Sequence, residues 1–239
     1  MQLNNKNPQD MLIEEKNKNT VYSAGSIAYE ILSSERLEET IRFVTEHFVE
    51  HEYLTRESGL DYASFERFSR LYCQASLCHR LSIIAVDTEI NEVIGFAINE
   101  DPNSPMAVDA SIFYDISVNF HPFLEMLTEL SARYLTIPSQ EKMSFHLYLL
   151  GVKPQYQGKG IGKALVELSE IRARQKGFRY IVIEATSPPT KPICERLNYT
   201  NLGHVSYRDF TLDGEKPYEH IIDYEGPYLF IKAFDDVDS

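Results

Sequence analysis

The chain has few cysteines, no long apolar run and a polar N-terminal segment. Its three cysteines, Cys73, Cys78 and Cys194, show no CxxC spacing. An odd number of cysteines without such spacing predicts a reducing compartment and no zinc site. No apolar run reaches the ~18 residues of a membrane helix, and the polar N-terminus lacks the apolar core of a signal peptide. We therefore expect a cytoplasmic protein that binds neither a membrane nor a metal.

Basic residues are also scarce relative to acidic ones. The chain has 23 Lys and Arg against 36 Asp and Glu, a formal net charge of -13. Proteins that bind nucleic acids need basic surfaces to neutralise phosphates, so we expect no nucleic-acid partner. An acidic surface favours the approach of a cationic substrate, although an acidic balance is also common in proteins without one. Neither charge nor composition indicates the oligomeric state.

The length of 239 residues suits one domain with its own core. Residues 1–25 are rich in Asn, Lys, Gln and Glu and have little to bury, which predicts a mobile polar segment. We expect a single domain over residues 26–239. A helical stripe at 122–135 predicts a helical insertion over about residues 102–142.

Apolar periodicity predicts an α/β fold with a mixed sheet of about seven strands flanked by helices. Residues 33–38, Ser-Ser-Glu-Arg-Leu-Glu, are expected to supply an N-cap and acidic residues in the first turn of one helix, and Asp61 is a candidate cap of a second. Strands are predicted at 27–32, 81–86, 93–99, 144–152, 180–184, 205–210 and 228–234, and helices at about 37–49, 61–76, 122–135, 162–176 and 191–197.

A glycine-rich loop joins the predicted strand 144–152 to the predicted helix 162–176. Residues 157–162 read Gln-Gly-Lys-Gly-Ile-Gly. Glycine permits tight dihedrals and close approach of a ligand, and the first amides of a helix lack internal partners and carry its positive dipole end. The loop therefore predicts an anion site, most naturally for a diphosphate. It matches neither the Walker A pattern nor the dinucleotide-binding fingerprint.

The loop resembles the Gln/Arg-x-x-Gly-x-Gly/Ala motif of the GNAT N-acetyltransferases. The preceding Val-x-Pro-x-Tyr, at residues 152–156, is also typical of that family. The resemblance extends over about residues 27–234 and is strongest over 144–199. It implies the GNAT fold, with the sheet splayed at the acyl-CoA site, and acetyl-CoA as co-substrate. The alternative is a glycine-rich turn without a ligand.

The resemblance also implies which residues bind the co-substrate. Backbone groups near Leu150 and Val152 would pair with pantetheine, since unpaired buried backbone groups are costly. The loop would hold the diphosphate, with Lys159 adding a positive charge. The implied loop residues are Gln157, Gly158, Lys159, Gly160, Gly162 and Lys163.

Residues 48–54 resemble the Phe-x-x-Asp-Glu-Pro-Leu pattern of the arylalkylamine (dopamine-type) branch. Phe48, Glu52 and Leu54 match, whereas His51 and Tyr53 depart from the pattern. The resemblance implies acetyl transfer to a primary amine, a small arylalkylamine, by direct attack in a ternary complex. A polyamine, an aminoglycoside or a protein amine stays open as the acceptor. So does a non-catalytic acyl-CoA-binding module.

Four residues are candidates for the chemistry. The resemblance implies Glu52 as the base that receives the amine proton; otherwise it is a solvated charge at a helix end. His146 titrates near neutral pH as a free side chain and is a candidate proton relay or a core histidine. Thr186 and Thr190 fall near serines of the branch and offer hydroxyls to substrate or thiolate, or cap a turn or helix. Cys194 replaces the family's usual tyrosine and is expected to be a packing residue.

Overall fold

A mixed eight-stranded sheet crosses the computed structural model, which describes residues 19–136 and 143–234. The strands lie in the spatial order β1-β2-β3-β4-β5-β6-β8-β7. All neighbouring strands are antiparallel except β5 and β6, which are parallel. The strands are β1 (Thr20–Ala24), β2 (Ile27–Ile31), β3 (Ile83–Asp87), β4 (Glu92–Glu100), β5 (Ser144–Val152), β6 (Tyr180–Ala185), β7 (Thr200–His204) and β8 (Tyr228–Ala233).

Six α-helices flank the sheet within the described part of the chain. None of these described helices is long and apolar enough to cross a bilayer. Two short 3₁₀ turns, Ala110–Phe113 and Pro154–Tyr156, precede α4 and the glycine loop. The helices are α1 (Leu37–His51), α2 (Tyr53–Glu57), α3 (Tyr62–His79), α4 (Phe120–Tyr134), α5 (Ile161–Gln175) and α6 (Thr190–Arg196).

Two apolar clusters hold the helices on opposite faces of the sheet. On one face, Phe48 of α1, Phe65 of α3 and Phe120 of α4 pack with buried strand residues such as Phe96. On the other face, Leu165 and its neighbours in α5 pack against residues such as Ile183 of β6. Alternating side chains on the strands supply both clusters, as expected for a sheet covered on both faces. The GNAT-type α/β architecture expected from the sequence is confirmed.

Strand β5 contains a bulge and then separates from β6. Asn99 pairs with Leu147 and Ile98 pairs with Leu149, so Tyr148 is an extra residue opposite β4. The parallel pairing with β6 runs from Ser144 only as far as Leu147, opposite Ile183. Bulges bend a strand and increase its twist. Beyond this point the two strands splay and leave a gap between them.

The N-terminal strand β1 corrects the sequence analysis, which placed residues 20–24 in a mobile polar segment. Residues 20–24 pair antiparallel with β2 through a tight turn at Gly25, whose φ is +62°. An edge strand needs no apolar alternation because none of its side chains is fully buried. The sheet therefore has eight strands rather than seven. The remainder of the predicted mobile segment, residues 1–18, lies outside the described residues.

The predicted strand at 205–210 is wrong. The last antiparallel pair of the sheet is formed instead by β7 and β8, while the backbone turns after Ser206, whose carbonyl accepts from the amide of Phe210 at 2.9 Å. Val205 and Tyr207 are almost fully buried. The alternation of apolar residues over 205–210 therefore arises from a buried loop and not from a strand.

Smaller differences concern helix ends. The cap expected from Asp61 is confirmed, since its side chain accepts from the amide of Ser64 at 2.9 Å. Helix α1 starts after Arg36, which makes no side-chain cap hydrogen bond, although Glu38 lies in the first turn as expected. Helix α4 occupies the predicted helix at 122–135. Helix α2, capped by Glu52, was not predicted.

Candidate active site

A cavity of about 440 Å³ opens where β5 and β6 splay. Its walls are the end of α1, the second half of β5, the glycine loop, the end of β6 and the start of α6. One end is formed by the glycine loop and the other by α1, α4 and β6. The side chains that form this second end, which we call the acceptor end, are those of His47, Phe48, Glu52, Phe123, Leu127, Tyr148 and Glu184.

The gap exposes backbone groups of β5 to the cavity. The amide of Lys153 donates to the carbonyl of Ile94 at 2.9 Å, so this pair faces β4. Because successive residues of an antiparallel strand alternate in direction, the amides and carbonyls of Val152 and Leu150 face the gap. Gln157 already donates its Nε2 to the Val152 carbonyl at 3.2 Å. The remaining groups can pair with an extended ligand, as predicted for these two residues.

The glycine loop leads directly into helix α5. Gly158 and Gly160 have φ of +75° and +84°, a region that side chains disfavour. A Cβ at Gly158 would meet no atom within 4 Å, so this backbone is open to a ligand. Gly160 occupies the N-cap position and has no side chain to cover the first amides of α5. The amides therefore point into the cavity end that the sequence predicted as the diphosphate site.

The two loop lysines have different places. Lys163 lines the cavity and forms an ion pair with Glu167 at 2.6 Å. The ammonium of Lys159 lies 4.7 Å from the centre of the Tyr156 ring and is not among the cavity-lining residues. Lys159 thus packs on an aromatic ring at the rim. Gly162 sits against Ile193, 3.3 Å from where a Cβ would be, which keeps α5 and α6 close.

Glu52 is a buried carboxylate on the cavity wall, only 5% exposed. Its Oε2 accepts from the amide of Thr55 at 2.7 Å, and its Oε1 accepts from the amide of Leu54 at 3.3 Å. The hydroxyls of Thr186 and Ser187 donate to the same Oε1, each at 2.7 Å. Glu52 is therefore not a solvated helix-end charge. It joins the α1–α2 junction to the end of β6.

Ser187 completes this group and was missed in the sequence. Its hydroxyl donates to Glu52 and also accepts from the amide of Tyr53 at 3.1 Å. The only signal was its position beside Thr186, before two prolines. Thr190 lines the cavity at the start of α6. The structure therefore brings Glu52 and Thr186 together, whereas Thr190 makes no hydrogen bond to Glu52.

Cys194 is the buried residue of α6 and does not line the cavity. Burial raises the pKa of its thiol to about 12. The thiol is therefore neutral near pH 7. A packing role, expected from the sequence, agrees with this placement.

His146 is held between two carboxylates rather than at the cavity surface. Its Nδ1 lies 3.0 Å from Glu100 and its Nε2 lies 3.0 Å from Glu184, and all three side chains are at most 15% exposed. Burial alone would lower the pKa of His146, but the two carboxylates outweigh it and raise the pKa to about 10. A histidine that stays protonated near neutral pH accepts no further proton. His146 thus lies in an ion cluster behind the cavity wall, a placement that favours the core histidine over the relay.

Two further cavity residues, Glu184 and His47, escaped the sequence analysis. His47 packs edge-on against Phe43 and Phe96, and burial, followed by repulsion from His51, lowers its pKa to about 4. It is therefore a neutral imidazole near pH 7. Glu184 and His47 each occupy a position that hydrophobic periodicity identifies only as inward-facing. A charged or titratable residue at an inward position is the one signal that could have revealed them.

Comparisons with known proteins agree with this geometry. The chain belongs to the acetyltransferase (GNAT) family, whose family pattern matches residues 42–198. The predicted GNAT acyltransferase is thereby confirmed. A search of the curated proteins finds no match to this chain.

Solved structures of low identity share the fold. Arylalkylamine N-acetyltransferase 2 from Aedes aegypti is 20% identical, with a TM-score of 0.72 over 88% of this chain and 100% of that one. A Drosophila melanogaster polyamine N-acetyltransferase, described as forming N-acetylagmatine, is 16% identical, with a TM-score of 0.71 over 87% and 100%. A putative acetyltransferase from Salmonella typhimurium, solved with its cofactor acetyl-CoA, is 13% identical, with a TM-score of 0.53 over 90% and 98%.

Proposed function

We propose that this protein transfers an acetyl group from acetyl-CoA to a small primary amine, by direct attack of the amine within a ternary complex. The observation that carries the proposal is one continuous cavity. It has an uncovered helix N-terminus at the glycine loop and a buried carboxylate, Glu52, on the opposite wall. Such a cavity can align an anionic acyl carrier with an amine and remove the proton of that amine.

The groups that line the cavity suit the chemistry of acetyl-CoA. The open backbone at Gly158 and the first amides of α5 suit a diphosphate, and the gap-facing groups of Leu150 and Val152 suit a pantetheine amide. When bound, acetyl-CoA supplies an activated acetyl thioester. Lys163, in the first turn of α5, lines the cavity and adds positive charge there.

The proton of the amine has a direct route. Thr186 and Ser187 each donate a proton to Glu52 Oε1. The oxygen of Ser187 already accepts from the Tyr53 amide, so the Thr186 oxygen is the better placed of the two to accept from an amine in the cavity. As Thr186 takes a proton from the bound ammonium, its original proton passes to Glu52. The amine becomes neutral and nucleophilic, and the proton stays on the carboxylate. Thr190, which lines the cavity at the start of α6, is the candidate donor to the departing thiolate.

The acceptor end favours an amine with an apolar body. Phe48, Phe123, Leu127 and Tyr148 form its walls together with the carboxylates. We therefore place a small arylalkylamine first among the acceptors. A polyamine or guanidino amine is the second candidate, because the carboxylate of Glu184 also lines this end. Three free cysteines, two of them buried, support a cytoplasmic location.

A thiol-release assay with acetyl-CoA and a panel of aryl, alkyl, diamine and peptide amines tests the proposal. We expect amine-dependent release of free CoA, with small amines preferred over peptides. Mass measurement of the acetylated amine confirms the product. Binding of acetyl-CoA without turnover of any amine would instead identify a non-catalytic acyl-CoA-binding module.

A further inference from the structure

Glu184 is a carboxylate of the cavity wall that the proton route does not use. It lies near the end of β6, and Thr186 follows the last residue of that strand, so both residues line the cavity. Its side chain is only 13% exposed, and that exposed part faces the acceptor end. A buried acid in a ligand cavity calls for a partner.

The hydrogen bonds that Glu184 accepts do not use the full acceptor capacity of its carboxylate. His146 Nε2 donates to its Oε2 at 3.0 Å, and the hydroxyl of Ser131 donates to its Oε1 at 3.2 Å. An ionised carboxylate offers about four acceptor sites, so roughly two remain. Glu52, with four donors, has none to spare. Glu184 is thus the cavity carboxylate that can accept from a bound ligand.

The charge around Glu184 also favours a donor. His146 is a cation between two carboxylates, Glu100 and Glu184, which leaves one net negative charge in a buried cluster. Burial raises the pKa of Glu184, but the charge and hydrogen bond of His146 outweigh it and hold the pKa below its usual range. Among the described lining residues, Lys163 lies in the first turn of α5 after the glycine loop and Arg196 lies at the end of α6, and neither forms an ion pair with Glu184. An uncompensated buried charge is costly until a partner arrives.

We propose that Glu184 binds a hydrogen-bond donor on the tail of the amine substrate and thereby determines substrate specificity. The donor is a ring hydroxyl of an arylalkylamine or a second ammonium or guanidinium group. The apolar walls at Phe123 and Leu127 would hold the body of the substrate, with its reacting nitrogen at Thr186 and Ser187. This inference rests on the proposed function for the reacting end only.

Two matched pairs of amines test the inference. The first pair is tyramine and 2-phenylethylamine, which differ by one ring hydroxyl; the second is 1,4-diaminobutane and butylamine, which differ by one ammonium. In at least one pair, kcat/KM for the donor-bearing member is expected to exceed that of its partner by about 10- to 100-fold, the range of a hydrogen bond to a charged group. The pair that shows the preference identifies the donor.

Glu184→Gln, with Glu100→Gln as control, separates specificity from structure. Both variants remove one negative charge from the same cluster around His146, but only Glu184 lines the cavity. Glu184→Gln should bring the preference close to one for the diamine pair and reduce it less for the hydroxyl pair, since the amide oxygen still accepts. Glu100→Gln should keep the preference within about threefold of wild type. A structural role would lower both members of a pair alike and leave their ratio unchanged.

The inference is overturned if the wild-type protein shows no preference in either pair, or if Glu100→Gln abolishes the preference as Glu184→Gln does. Should Glu184→Gln fail to fold, the wild-type ratios and Glu100→Gln decide the matter. Should no amine be acetylated, the proposed function fails. The ratio of dissociation constants of each pair, measured by calorimetry with CoA present, then decides this inference by the same criterion.

Discussion

Replacing Glu52 by glutamine tests the proton route in detail. Oε1 of Glu52 accepts from the hydroxyls of Thr186 and Ser187, and Oε2 accepts from the amide of Thr55, which cannot reverse its direction. The glutamine oxygen must therefore replace Oε2, and its amino group must face the two hydroxyls. Those hydroxyls then accept instead of donate. The side chain keeps its shape but no longer receives protons.

The size of the effect follows from this reversal. Loss of a positioned acid–base group typically lowers kcat by ~10²–10⁴-fold. Stability should change by only about 1–3 kcal/mol, because one donor, the Leu54 amide at 3.3 Å, is left without an acceptor. Acetyl-CoA binding at the glycine loop should be unaffected. The variant is therefore expected to be folded, to bind the co-substrate and to turn over slowly.

The assay is amine-dependent thiol release across pH, with acetyl-CoA affinity measured by calorimetry. Glu50→Gln is the matched control, since Glu50 lies near the end of α1 with 65% of its side chain exposed. The control should retain a wild-type rate. A Glu52→Gln protein with near-normal kcat at every pH would refute the route and leave Glu52 as a structural clamp.

Three further outcomes are expected. Gly160→Val should weaken acetyl-CoA binding by roughly tenfold or more, because φ of +84° strains a β-branched residue and the amides move; unchanged affinity in a variant folded by circular dichroism would exclude this loop. For a cationic amine, kcat/KM should fall as salt rises, since the field of a chain with net charge -13 is screened over ~8 Å at physiological ionic strength; a salt-independent rate would contradict steering. His146 has its pKa raised to about 10 from ~6.5 in an unfolded chain, so its stabilisation is complete below ~6.5 and lost as pH rises through about 10. The free energy of unfolding of wild type minus that of His146→Gln should shrink over this interval, and a pH-independent difference would be inconsistent with the ion cluster.

The co-substrate end of the site could be predicted from the sequence because it is local. Strand β5, the glycine loop and α5 are consecutive, and each shows its own periodicity or its own glycines. Asp61 is predictable as a cap for the same reason, since its partner is three residues away. Sites formed by residues that are close in the sequence can therefore be predicted without a structure.

The acceptor end could be predicted only in part because its contacts span the chain. Glu52 was found through resemblance, yet its partner Ser187 is 135 residues away and no local pattern joins them. The sequence predicts a titratable relay at His146 because its partners, Glu100 and Glu184, lie on two other strands and are far from it in the chain. Strand β1 has no strand pattern in the sequence because an edge strand can be polar. Residues 205–210 do show a strand pattern, because the residues of a buried loop can also alternate between buried and exposed.

The contact between Glu52 and β6 has a consequence for how activity arises during folding. The carboxylate and its two hydroxyl donors are separated by 134 and 135 residues. Closing so long a loop is a late and entropically costly event in a folding chain. A refolding protein should therefore regain its helical signal and its co-substrate affinity before it regains turnover. Recovery of turnover would then report when Glu52 reaches its hydroxyl partners Thr186 and Ser187.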